Sequence, residues 1–219
     1  MAELLYVWPE GARFGRRIPK DQIYAHASVP APVKAAFVEH VDQITWAFKL
    51  APGTVNVRGT TAVPEIQVIQ IRAKSEDVPD QVLAAVDRAV PLPVVFEVAR
   101  GQGADERIRM QATYRPVGAR VSSPYVRTDW SPADAPRTPL PAASDLTQLY
   151  GALLSPLLGV RVDPGDAPEQ IAERLERQAT LAKEHARLSR RYRAEKQFNR
   201  RVQVRAELKT IEKELETLT

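Results

Sequence analysis

The densest group of chemically capable side chains lies near the C-terminus, where residues 187–205 hold eight basic groups and one acidic one. The basic residues are Arg187, Arg190, Arg191, Arg193, Lys196, Arg200, Arg201 and Arg205. Seven of them are arginine, whose planar fork grips phosphate or carboxylate oxygens in pairs and gives up water more readily than a lysine ammonium. Tyr192 and Phe198 lie among them and could stack on nucleic-acid bases. On one continuous helix, Arg187, Arg190, Arg191, Arg201 and Arg205 would fall within an arc of roughly 100° beside an apolar stripe. Such an arc suits a nucleic-acid backbone, an acidic protein surface, or a plainly solvated face. If about four phosphates were contacted, log affinity would fall with log salt at a slope of about −3.6.

Carboxylates offer a second chemistry. Pro79-Asp80 followed by Glu97-Val98-Ala99 nearly spells the Pro-Asp…Glu-x-Lys pattern of restriction-type nucleases, whose acidic residues hold a divalent metal. Ala99 stands in the lysine position, and Glu65-Ile66-Gln67 departs in the same way. Asp80 is expected to begin a helix rather than end a strand. A divergent metal-dependent nuclease using Glu65, Asp80 or Glu97 is therefore the enzymatic alternative, but no catalytic, metal or cofactor site is assigned from the sequence. Gly101-Gln102-Gly103 opens like a dinucleotide loop, yet Glu106 replaces the third glycine and no helix is expected to follow. The phosphate-cradling Gly-x-x-x-x-Gly-Lys segment, the Gly-x-Ser-x-Gly elbow and the His-Glu-x-x-His helix are all missing. With no cysteine among 219 residues, disulfides, thiolate metal sites and cysteine nucleophiles are excluded. His26, His40 and His185 are far apart in the chain.

The net charge of +4 hides an uneven distribution. Residues 1–167 carry 18 basic and 18 acidic side chains, whereas 168–219 carry 13 and 9, so the whole excess belongs to the C-terminal quarter. No cleavable leader and no stretch of roughly 18 apolar residues appears, and the expectation is a cytoplasmic protein without a membrane partner.

These residues must be positioned by a mixed set of elements. Leu4–Trp8 reads as a short strand, followed by a basic turn over residues 13–20. Val33, Phe37, Val41, Ile44 and Phe48 recur at helical spacing and predict one helix from Pro32 to Pro52-Gly53. Glu65–Ile71 and Pro93–Val98 read as strands buried on both faces, with a helix over Pro79–Ala89 between them. That order is a βαβ unit and requires parallel pairing. Arg107–Arg115 and Ala119–Arg127 alternate, with Pro116-Val117-Gly118 as the turn of a hairpin. Residues 116–141 contain six prolines and form an extended crossing segment. Asp145 caps a helix to about Leu158 with Leu146, Leu149, Tyr150, Leu153 and Leu157 on one side. Asp166 and Glu169 resemble a capping box, after which no glycine or proline interrupts the chain. A straight helix from about residue 168 would be about 78 Å long and must project or fold back, with a break near Asn199. Val204, Leu208, Ile211, Leu215 and Leu218 form a coiled-coil-like seam that the same chain, a second copy or another protein must cover.

Several segments together resemble one family. They are Arg17-Ile18-Pro19-Lys20, Ile44-Thr45-Trp46 with Lys49–Asn56, Glu65–Val68, Phe96-Glu97, Asp145-Leu146 with Leu149-Tyr150, and Glu195-Lys196-Gln197-Phe198-Asn199-Arg200. In this order they resemble the bacterial proteins catalogued as domain of unknown function 4391. Ala-Pro-Gly-Thr replaces an expected Ser-Pro-Glu-Thr after Leu50, so no acidic group carries over there. The resemblance implies a setting near helicases and DNA methyltransferases in mobile or antiphage-defence regions, and it supplies no catalytic residues.

The combined expectation is an α+β chain: a mixed-sheet domain over residues 1–142 and a helical region over 143–219. Its function would be that of a non-enzymatic adaptor in a helicase-centred DNA-handling system. The basic helix would meet nucleic acid, a helicase or a methyltransferase. A structural protein that forms homodimers through the C-terminal helix is the third reading.

Overall fold

The computed structural model describes residues 4–115, 117–118, 125–161, 163, 166 and 168–218, with only the backbone of Leu158, Pro168, Glu169 and Ala172. The chain divides into two compact units, Met1–Leu158 and Gly159–Thr219. It is a mixed α+β protein. No described helix is long and apolar enough to cross a membrane.

The first unit is built on a seven-stranded sheet: β1 (Arg13–Arg17), β2 (Val41–Leu50), β3 (Ile66–Ala73), β4 (Val94–Arg100), β5 (Arg107–Ala112), β6 (Val126–Arg127) and β7 (Ser131–Pro132). Strands β1 to β6 neighbour one another in chain order, and β7 also pairs with β5. Helices α1 (Lys20–Ala27), α2 (Ala31–His40), α3 (Pro52–Val55), α4 (Asp80–Ala89) and α5 (Leu146–Leu158) fill the connections. The expected βαβ unit is β3–α4–β4, whose strands are the parallel pair; the other strand pairs are antiparallel. One sheet face buries Ile69, Ile71, Phe96 and Val98 against Ile23, Phe37, Val82 and Val86 of the helices. Each such side chain contributes about 1.5–3 kcal/mol by leaving water. Asp145 caps α5 as expected, its carboxylate accepting the Gln148 N–H at 3.0 Å. The five predicted apolar positions of α5 are buried.

Three local expectations fail. The helix predicted from Pro32 stops at His40, and Val41–Leu50 is a ten-residue strand between β1 and β3. Register shifts between Val41 and Gln43, and between Trp46 and Phe48, insert an extra residue in each half of β2. Burial then recurs at Val41, Ile44, Ala47 and Leu50, every third residue, which in one dimension imitates a helical stripe. The β-branched and aromatic content of Ile44-Thr45-Trp46 and the two flanking ladders decide for strand. Among the described residues, Leu4–Trp8 joins no strand of the sheet and is held by a bridge from Tyr6 to Thr138. The basic segment after it is the edge strand β1 followed by α1, with Gly15 at φ 67° where the register shifts. Of the predicted hairpin, residue 116 of the turn and residues 119–124 of the second strand lie outside the described residues; β5 does pair antiparallel with Val126 and Arg127.

The second unit is an antiparallel pair of helices, α6 (Pro168–Ala194) and α7 (Phe198–Leu218), about 40 Å and 31 Å long. The chain folds back through Glu195-Lys196-Gln197 with neither glycine nor proline. The turn satisfies its own polar groups: Glu195 N–H donates to Arg191 C=O, and its carboxylate accepts the Gln197 N–H at 2.9 Å. Gln197 C=O in turn takes the Arg201 N–H. The apolar seam is covered within the chain, as Val204, Leu208 and Ile211 pack with Leu181 and Leu188, flanked by Tyr192, Leu215 and Leu218. At the opposite end from the turn, Arg161 N–H donates to Leu218 C=O at 2.7 Å, and Arg177 pairs with Glu214 at 2.5 Å. The capping box expected of Asp166 and Glu169 involves a Glu169 side chain that lies outside the described residues. The Asp166 carboxylate accepts the Asp163 N–H and pairs with Arg174, which holds it below the usual carboxylate range.

Candidate functional site

Folding the long helix back changes what its basic run can do. Arg187, Arg190, Arg191 and Arg193 end α6, Lys196 sits in the turn, and Arg200, Arg201 and Arg205 begin α7. The single arc calculated for a straight helix therefore does not exist, because its two halves lie on different helices. All eight groups instead fall within two helical turns of the bend, roughly 11 Å along either axis, and all are exposed. Only Arg187 forms a salt bridge among the described residues, with Glu184 at 3.5 Å. The arrangement concentrates like charge, since an antiparallel fold sets the basic end of α6 beside the basic start of α7.

Helix dipoles divide this charge unevenly. Arg191 and Arg193 lie in the last turn of α6, where the negative end of the helix favours them. Arg200 and Arg201 lie in the first turn of α7, which has no acidic residue, and there the dipole opposes them. A bound anion would relieve both the mutual repulsion and the unfavourable dipole.

The two aromatic candidates part company here. Tyr192 is half-buried in the hairpin seam; its hydroxyl accepts a hydrogen bond from Arg205 at 3.3 Å, and the Arg201 guanidinium stands 4.9 Å from its ring centre. The Arg205 bond lowers the ionisation point of this phenol. Phe198, by contrast, is 76% exposed at the first position of α7, and Val202 one turn later is 52% exposed.

The three carboxylates of the nuclease alternative are not brought together. Asp80 begins α4 and is held by Arg127. Glu97 lies on β4, 2% exposed, and its carboxylate is occupied by Trp8 Nε1 at 2.7 Å, an Arg137 guanidinium N–H at 2.7 Å and Gln70 Nε2 at 2.9 Å. Glu65 precedes β3, five residues before Gln70, the register partner of Glu97, or about 17 Å along the strand. Its carboxylate accepts from Gln67 Nε2 at 3.0 Å. Among the described residues, no group of three or more histidine, aspartate or glutamate side chains is arranged to hold a metal ion.

The family model described as Domain of unknown function (DUF4391) matches residues 7–215. The chain belongs to this family. No curated protein and no solved structure matches it. In this DUF4391 protein the segment Glu195–Arg200 is the hairpin turn itself together with the first residues of α7. Phe96-Glu97 lies on β4 and Glu65–Val68 leads into the adjacent strand β3, while Asp145-Leu146 opens α5.

Polar networks of this DUF4391 sheet unit escaped the sequence reading. Asp87 is 2% exposed, accepting from Tyr125 Oη at 2.6 Å and from Arg115 Nε at 3.1 Å. Burial raises its carboxyl above the usual range, against the pull of Arg115 and the Tyr125 hydroxyl. The same guanidinium closes the end of α4 by donating to the carbonyls of Asp87, Val90 and Leu92. Arg109 is buried beside Asp77 and stacks on Trp130 at 4.5 Å, with Arg100 on that ring at 4.3 Å. Partners separated by 21 to 38 residues leave no local pattern, so only the aspartate and arginine side chains within otherwise apolar stretches could have signalled these networks.

Proposed function

We propose that this protein is a non-enzymatic accessory factor that binds nucleic acid through the tip of its C-terminal helical hairpin. One observation carries the reading: eight basic side chains, seven of them arginine, converge exposed on one bend, and only Arg187 has an acidic partner among the described residues. Exposed cations clustered in this way are solvated at little cost yet repel one another, and phosphate oxygens relieve that repulsion by accepting forked arginine hydrogen bonds. The role consistent with this surface is that of an adaptor in a helicase- or methyltransferase-containing DNA-handling assembly, with the sheet unit as its scaffold.

Binding of labelled DNA across a salt series tests it. With about four phosphates engaged, log affinity falls with log salt at a slope of about −3.6. Arg190→Glu, Arg191→Glu, Arg200→Glu and Arg201→Glu in one variant abolish binding while the fold persists. Salt-insensitive binding, or binding unchanged by these substitutions, overturns the reading. Cleavage of DNA with magnesium, lost in Glu97→Ala, would favour the nuclease instead.

A further inference from the structure

We infer that the nucleic acid taken by the hairpin tip is single-stranded and that Phe198 stacks on one of its bases; this rests on the nucleic-acid reading above. Phe198 is the most exposed of the large apolar side chains found at the surface of the described residues. It stands at the start of α7, directly after the turn residues Lys196 and Gln197 and directly before Asn199, Arg200 and Arg201. A bare ring beside several cations matches a nucleotide, which presents a neutral aromatic face next to an anionic phosphate. Stacking of this kind is worth about 1–3 kcal/mol per base and tolerates any sequence.

Two alternatives fit the surface less well. A second copy of the chain would bring another net +7 against the first, so like charge opposes covering Phe198 and Val202 by self-association. A duplex keeps its base faces stacked inside. It can meet the tip through its phosphates, but it gives Phe198 no base face to cover. An unpaired strand offers phosphate and a free base face together. Tyr192 is not the stacking group, because Arg201 and Arg205 already engage it.

The test compares the full-length protein and its Phe198 variants on a single-stranded 20-mer and on the matching duplex, with 2-aminopurine placed in the single strand. Phe198→Ala is expected to weaken single-strand binding about tenfold, to leave the salt slope unchanged and to abolish 2-aminopurine quenching, with duplex binding unaffected. Phe198→Trp retains affinity and quenching, and Phe198→Leu behaves like alanine, because stacking needs a ring. Circular dichroism checks that the variants fold, which exposure of this side chain leads one to expect. Equal losses on single strand and duplex, rescue by leucine, or no loss at all would overturn the stacking inference alone. Absence of binding to either DNA by the unaltered protein would overturn the nucleic-acid reading together with it.

Discussion

Arginine does opposite work in the two units. In the sheet unit Arg109, Arg115, Arg127 and Arg137 are each tied to a carboxylate, and Arg115 and Arg109 are nearly buried. At the hairpin tip the same residue type is exposed and, apart from Arg187, without an acidic partner among the described residues. A buried guanidinium must have its charge and donors satisfied or the fold loses several kcal/mol. An exposed, unpaired one is solvated at little cost and stays available to an outside anion. The contrast separates arginine as architecture from arginine as contact surface.

The largest expected effect lies on the architectural side. Asp87→Ala leaves Arg115 buried without its carboxylate and costs about 3–5 kcal/mol in urea unfolding. A loss under 1 kcal/mol would mean that the three carbonyls at the end of α4 suffice to hold Arg115, and would weaken the contrast. Next, Leu188→Ala opens the hairpin seam and costs about 2–4 kcal/mol; if unfolding is unchanged while DNA binding falls, the tip needs the seam only for geometry. The quadruple charge reversal at the tip is expected to shift stability by no more than about 0.5 kcal/mol, although it abolishes DNA binding. A large destabilisation there would make those arginines architectural too.

Titration sharpens the same comparison. Burial raises the phenols of Tyr6, to about 12, and of Tyr125 and Tyr150 well beyond that. A raised folded value means that stability is fully present below the unfolded phenol's ionisation near pH 10 and is lost as pH rises toward the folded values. Urea midpoints measured from pH 8 to 11 should therefore fall at the alkaline end, whereas a flat profile would refute the burial of these rings. The smallest effect belongs to the hairpin: absorbance titration should show one tyrosine ionising below its ordinary value, removed by Tyr192→Phe. Its survival in that variant would break the link between Arg205 and Tyr192.

Legibility in the sequence followed the range of the interactions involved. The βαβ unit and α5 were readable because their patterns are local: β-branched runs, helical spacing and an aspartate cap on Gln148. Strand β2 imitates a helix in sequence because two bulges give it a burial period of three. The arginine-rich segment was visible as composition, but its shape was not. Nothing in Glu195-Lys196-Gln197 is an obligate helix breaker, and the bend is fixed by the apolar seam closing on itself.

By itself the sequence determined the charge inventory, the absence of cysteine chemistry, the parallel strand pair and the concentration of arginine in residues 187–205. Only the tertiary structure decided that this run is a hairpin tip rather than one face of a rod, that Tyr192 is engaged while Phe198 is bare, and that Glu65, Asp80 and Glu97 stay apart. The physical reason is that burial and charge pairing are properties of distance in space. A chain that folds back on itself brings together residues whose separation along the sequence carries no sign of it.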